Sequence, residues 1–188
     1  MNVSVNPWYY CNFRCEFCYL TKEQLSDNTK IDLEVLNKRL SELPKIDCID
    51  LYGGEIGLLP ESYFNEMTDI FLSYNPEKMN MITNLSMVND IVRNKNYELF
   101  VSYDFDTREK HELVYRNMAT FDDYFNVLIL ANEKIIKQDV NNMIEMLNLL
   151  NNLVSVEIKP YSINQANQYN VSHKDYEEFV KKWIKSDI

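Results

Sequence analysis

The sequence predicts an α/β fold of parallel strands, and three observations predict it. Short runs rich in Val, Ile and Tyr recur along the 188 residues. Stretches with apolar residues at three- and four-residue steps separate them, and no linker or break in composition divides the chain. Strands favour the first pattern because branched and aromatic side chains fit a pleated surface. Helices favour the second because positions three and four apart share a face. Regular alternation of the two implies parallel strands joined by right-handed crossovers. Six such units fall short of the eight that close a barrel. That leaves a doubly wound open sheet or an open, partial barrel, and in both the ligands gather at the C-terminal ends of the strands.

The strands are expected at Asn2–Val5, Ile46–Tyr52, Met79–Thr83, Glu98–Tyr103, Asn126–Ala131 and Val154–Pro160. Between the first two, Leu33, Leu36, Leu40 and Leu43 mark a helix that Thr29 or Asp32 can cap. Phe64, Met67, Phe71 and Tyr74 mark the next, after Pro60, and Met143, Ile144, Leu147 and Leu150 a later one. Ser172 with Asp175 reads as a capping box ahead of Tyr176, Phe179, Val180 and Trp183. Each strand is expected to be followed by a helix, including a short one within MVNDIVRNK and another between Thr107 and Tyr124.

Composition bounds the function. Apolar residues make up 46% and charged residues 26%, which suits one globular domain with a real core. No apolar run reaches the ~20 residues that cross a bilayer, and MNVSVNPWYY has neither the basic nor the apolar region of a signal peptide. A cytoplasmic, reducing setting is therefore expected, with no membrane partner. The formal net charge of −10 repels phosphate backbones and disfavours nucleic acid as the main partner.

The densest chemistry lies in YYCNFRCEFCYL, where Cys11, Cys15 and Cys18 follow the first strand. Disulfides fit poorly with a reducing compartment and an odd thiol. A structural zinc site needs a fourth ligand that this loop does not offer. Three thiolates suit an iron–sulfur cube with one iron left open, and an open iron is useful when a substrate or cosubstrate binds there. Cys48 stands apart, between isoleucines, and reads as a small core residue.

The C-x3-C-x2-C run, with Phe17 before the last cysteine and a strand ahead of it, resembles the radical S-adenosylmethionine (SAM) enzymes. The resemblance implies a single core domain over residues 1–188, folded as a partial (βα)6 barrel with parallel strands. It also implies one [4Fe–4S] cluster on Cys11, Cys15 and Cys18, whose open iron chelates the amino and carboxylate groups of SAM. One electron then cleaves SAM to a 5′-deoxyadenosyl radical that abstracts hydrogen from a substrate.

Further residues take roles from the same resemblance. Gly53, Gly54 and Glu55 in LYGGEI match a motif that holds the SAM ammonium, although Ile56 stands where the family often has proline. A strand-to-helix turn would use the same glycines. Ser102 and Asp104 in VSYDFD match a fourth-strand S-x-D, with His111 and Arg116 following one residue off the expected spacing. Arg116 is the candidate for the SAM carboxylate, with Arg108 competing. Asn84 and Asn132 follow the third and fifth strands and can bond the ribose or the methionine carboxylate, or simply cap the next turn. Asp104 and Tyr103 are the candidates for proton or hydrogen transfer. Tyr9, Tyr10 and Tyr19 flank the cysteines and can shield them, and EIKPYS brings backbone towards the adenine.

No cysteine follows Cys48, so a single cluster is expected. The substrate is expected to be a peptide or protein side chain, or a small metabolite, with flavodoxin or ferredoxin as electron donor. The open side suits a dimer or partner subunit. Two other readings stay open: an activase that places a glycyl radical on a partner enzyme, and a non-catalytic iron–sulfur or SAM-binding module.

Overall fold

The computed structural model describes residues 1–161 and 171–185. Six strands form one parallel sheet in the order β1-β2-β3-β4-β5-β6. They are β1 (Asn2–Val5), β2 (Cys48–Leu51), β3 (Lys78–Thr83), β4 (Glu98–Ser102), β5 (Phe125–Ala131) and β6 (Leu153–Pro160). Spatial order equal to chain order is the topology of an open, partial (βα)6 array. It excludes the doubly wound alternative, in which strand order reverses at a switch point.

Five α-helices lie among the described residues: α1 (Leu33–Ser41), α2 (Glu61–Ser73), α3 (His111–Thr120), α4 (Val140–Asn148) and α5 (His173–Ile184). Their starts follow local chemistry. Asp32 accepts from the amides of Glu34 at 2.8 Å and Val35 at 3.1 Å, so it caps α1 in place of Thr29. Asp139 caps α4 through the Asn141 amide at 2.9 Å. At α5 the Ser172 hydroxyl accepts from the Asp175 amide at 3.1 Å and donates to its carboxylate at 2.6 Å, closing a box of the expected kind.

The connection from β3 to β4 departs from expectation: it carries turns and no helix. Its asparagines explain why. Asn89 Oδ1 accepts from the Val92 amide at 3.3 Å and opens one helical turn, with the Arg93 amide on the Asn89 carbonyl at 3.2 Å, but Asn94 Oδ1 then takes the Asn96 amide at 3.0 Å and the turn goes no further. Ile91 and Val92 are nonetheless buried.

The chain divides into two compact units, Met1–Asn12 with Lys22–Phe100, and Phe13–Thr21 with Val101–Ile188. In the first, Ile49, Leu51, Met79 and Met81 alternate along β2 and β3 and are almost wholly buried. Each such burial is worth roughly 1.5–3 kcal/mol against exposure. The intervening positions are half-buried, and there the Asn80 amide donates to Asp50 Oδ1 at 2.7 Å. Cys48 belongs to this polar face rather than to the core: its sulfur lies 3.8 Å from Asp50 Oδ1, and burial followed by the Asp50 charge pushes its thiol up. In the second unit Val101, Val127 and Ile129 are buried in the same alternating way, and Phe121 meets Phe125 edge-on. No helix of the described residues is long and apolar enough to cross a membrane.

Candidate functional site

In the first unit the loop before Cys11 is stitched to the end of β2. The Gly54 amide donates to the Trp8 carbonyl at 3.0 Å and the Glu55 amide to the Tyr10 carbonyl at 2.8 Å. Both glycines are required by this approach. Gly53 sits at φ 152°, and a Cβ there would lie 2.6 Å from the Trp8 carbonyl oxygen. At Gly54 it would lie 2.0 Å from the Tyr10 carbonyl oxygen. The Cys11 amide in turn donates to the Leu25 carbonyl at 3.1 Å.

Glu55 is 2% exposed. Its Oε1 accepts from the Gly57 amide at 2.8 Å and the Thr83 hydroxyl at 2.5 Å, and its Oε2 from the Asn84 amide at 2.6 Å. A buried carboxylate is tolerated only with such donors. Asn84, also buried, directs its side-chain amide to Asn12 Oδ1 at 3.1 Å and towards Cys11 Sγ at 3.7 Å. Its own carbonyl oxygen caps the turn by accepting from the Ser86 amide at 2.8 Å. Leu85 beside it holds φ 48°, a left-handed backbone rare for a bulky residue.

In the second unit the Cys18 amide donates to the Cys15 carbonyl at 3.1 Å, a tight turn that sets the two thiols on one loop. No disulfide joins any of the four cysteines, all of which lie among the described residues. Burial pushes the Cys18 thiol up, and the nearby Cys15 adds to this. A backbone hydrogen bond at Leu20, Arg108 and Arg14 oppose it. Asp104 is 1% exposed. It accepts from the Leu130 amide at 2.6 Å through Oδ1, and from Arg108 Nε at 2.9 Å and Nη2 at 2.5 Å through Oδ2. The third nitrogen of Arg108 points at Cys15 Sγ, 4.0 Å away, and the guanidinium lies over the Phe17 ring, 5.4 Å from its centroid.

Phe17, Asn132, Thr107, Lys134 and Glu16 line a small recess. Asn132 Oδ1 accepts from the amides of Lys134 at 2.9 Å and Ile135 at 3.0 Å, so it caps the turn after β5. Its amide donates to Thr107 Oγ1 at 3.3 Å. Lys134 bridges to Glu16 at 2.6 Å across the recess. Tyr103 points into the covered side of the sheet: it is fully buried, its ring is 4.9 Å from that of Phe105, and its hydroxyl has no partner among the described residues. Burial pushes that phenol up. Ser102, one residue earlier, is half-buried on the opposite face. Arg116 is exposed on α3.

Solved structures share this arrangement of strands and helices. Streptococcus suis SuiB bound to precursor peptide SuiA superposes with a TM-score of 0.72 at 14% identity, over 97% of this chain and 45% of that one. The anSMEcpe protein with bound AdoMet gives 0.68 at 18%, over 97% and 58%. Its complex with AdoMet and a Kp18Cys peptide gives 0.68 at 17%, over 97% and 59%. The chain has their fold. It spans about half the length of these structures. No family model and no curated protein matches it.

The second unit brings Phe17, Asp104 and Cys15 together around Arg108, the arginine that competes with Arg116 in the sequence. No helical spacing announces this pair, because Asp104 and Arg108 flank the short turn Phe105–Thr107. The first unit brings Glu55, Asn84 and Cys11 together and adds Thr83, the first residue of TNLS. Ser162, the last residue of EIKPYS, lies outside the described residues.

Proposed function

We propose that this chain is the core of a radical SAM enzyme acting on a peptide or protein side chain. The observation that carries the reading is the coincidence of C-x3-C-x2-C after β1 with the fold of AdoMet-bound structures. Cys11, Cys15 and Cys18 would hold one [4Fe–4S] cluster. Among the described residues no three such side chains gather where a single metal ion could sit, so the assignment rests on the chemistry of the donor set, three thiols without disulfides within one eight-residue segment. When bound, the cluster and SAM supply one-electron cleavage to a 5′-deoxyadenosyl radical.

The residues around it have simpler tasks. Gly53 and Gly54 let the backbone before Cys11 lie flat on the end of β2, and Asn84 steadies the Cys11 sulfur. Glu55, Ser102, Asn132 and Arg116 are the proposed SAM contacts, as the resemblance assigns them. Asp104 acts here by orienting Arg108. The peptide-bound neighbours support a peptide substrate. The electron would come from a flavodoxin or ferredoxin, in the cytoplasm.

The test is anaerobic reconstitution with iron and sulfide, then SAM with dithionite. About four iron atoms per chain and release of 5′-deoxyadenosine are expected, and both should vanish in Cys15→Ala. SAM turnover that persists in that variant would remove the assignment. Tight SAM binding with no cleavage would instead favour a non-catalytic module, and co-purification with a large glycyl-radical partner an activase.

A further inference from the structure

We propose that Arg108 is a positioning residue of the cluster site. Its guanidinium, fixed by Asp104 and stacked on Phe17, donates a charge-assisted hydrogen bond to the Cys15 thiolate and thereby raises the reduction potential of the cluster which that thiolate holds. The inference rests on the cluster reading above and assigns a residue that the reading leaves undetermined.

The geometry supplies each step. A guanidinium stays charged at any pH a protein survives, and its flat fork fixes where its other nitrogens point once one edge is held. Here one edge is held: Nε and Nη2 both end on Oδ2 of Asp104, at 2.9 and 2.5 Å. Asp104 cannot swing away, because its other oxygen accepts the Leu130 amide at 2.6 Å and the side chain is 1% exposed. The Phe17 ring covers one face of the guanidinium, and only 11% of the arginine side chain reaches solvent. What remains is Nη1, directed at Cys15 Sγ at 4.0 Å.

The arginine lies between Asp104 and the sulfur in this chain of contacts, so the positive end of the ion pair faces the thiolate. At such range in a poorly hydrated place the attraction is little screened. One-electron reduction adds one negative charge to the cluster and moves no proton. A donor on a ligand sulfur therefore stabilises the reduced form more than the oxidised form. Asp104 and Phe17 act through Arg108: one aims it and the other keeps water off it.

The test uses this 188-residue chain, reconstituted anaerobically and titrated without SAM against dithionite and viologen mediators, with the reduced form followed by electron paramagnetic resonance. In Arg108→Gln the equilibrium constant for reduction should fall about tenfold or more, the scale of one charge-assisted hydrogen bond. Arg108→Lys keeps the charge and should recover part of the loss. Asp104→Asn frees the fork and should shift the midpoint in the same direction. Iron content and far-ultraviolet circular dichroism report whether each variant is folded and loaded. Loaded Arg108→Gln and Arg108→Lys proteins that titrate at the wild-type midpoint overturn the inference. Should Arg108→Gln fail to fold, Phe17→Leu takes its place: it strips the stacking ring and should lower the midpoint by less, while an unchanged midpoint again counts against the idea. A wild-type chain that takes up no cluster removes the reading beneath it, which is a separate and recognisable failure.

Discussion

The backbone amide of Asn84 donates to Oε2 of Glu55 at 2.6 Å, so the carboxylate that follows the glycine pair fastens the end of β2 to the end of β3. Glu55→Ala would strand that amide, the Gly57 amide and the Thr83 hydroxyl in a buried place. Each such orphan costs about 1–3 kcal/mol. Urea unfolding should show a loss of about 4 kcal/mol. Glu55→Gln keeps one acceptor oxygen and should lose less. An alanine variant as stable as the parent would mean that these donors reach water.

Gly54→Ala should be worse tolerated than its one added carbon suggests. The new Cβ would meet the Tyr10 carbonyl oxygen at 2.0 Å, and backbone cannot yield as a side-chain tip does. A loss of at least ~3 kcal/mol in thermal or urea unfolding is expected. Hydrogen exchange should show the amide of Cys11 opening faster, since the loop before it is pushed off β2.

Stability should fall on the alkaline side, and the sign can be worked out. Burial raises the phenol of Tyr97 to about 12, above the ordinary value of 10.0. The folded chain thus keeps a proton that the unfolded chain releases between about pH 10 and 12. The contribution is complete below pH 10 and is lost as pH climbs towards 12, at no more than about 1.4 kcal/mol per pH unit for one group. Tyr97→Phe should flatten the decline measured by urea midpoints from pH 9 to 11.5, at the expense of the Thr68 hydroxyl's 2.9 Å contact. An equally steep decline in the variant would assign the slope to other groups.

Asn89 should matter more than an ordinary loop residue. Its amide donates to the Gly57 carbonyl at 2.8 Å and its oxygen accepts the Val92 amide at 3.3 Å. Asn89→Ala should cost about 1–2 kcal/mol in urea unfolding. Asn89→Asp, which keeps the acceptor but loses the donor, should fall between.

The parallel order and the positions of the strands were legible because hydrophobic period two and helical period alternate plainly along the chain. The cysteine segment stood out by its spacing after a first strand, and what it binds is the matter that reconstitution decides. The turn connection after β3 was not legible: MVNDIVRNK has apolar spacing compatible with a helix and begins one turn at Asn89, and the Asn94 side chain's bond to the Asn96 amide accompanies its end. Cys48 read as core from its isoleucine neighbours, yet strand alternation puts it on the polar face with Asp50. The pairing of Arg108 with Asp104 was hidden for a different reason. It depends on a left-handed Phe105, φ 48°, which begins the tight turn that brings Arg108 back onto Asp104. No propensity scale anticipates a phenylalanine in that conformation.

The stitching of Trp8 and Tyr10 to Gly54 and Glu55 also sets an order of events at the ribosome. The segment bearing Cys11 is made early, but the amides that pin it are translated only after α1 and β2. Until then the thiols belong to a loose nascent strand. The docking of this segment must wait for a part of the message that lies well downstream of Cys11 itself.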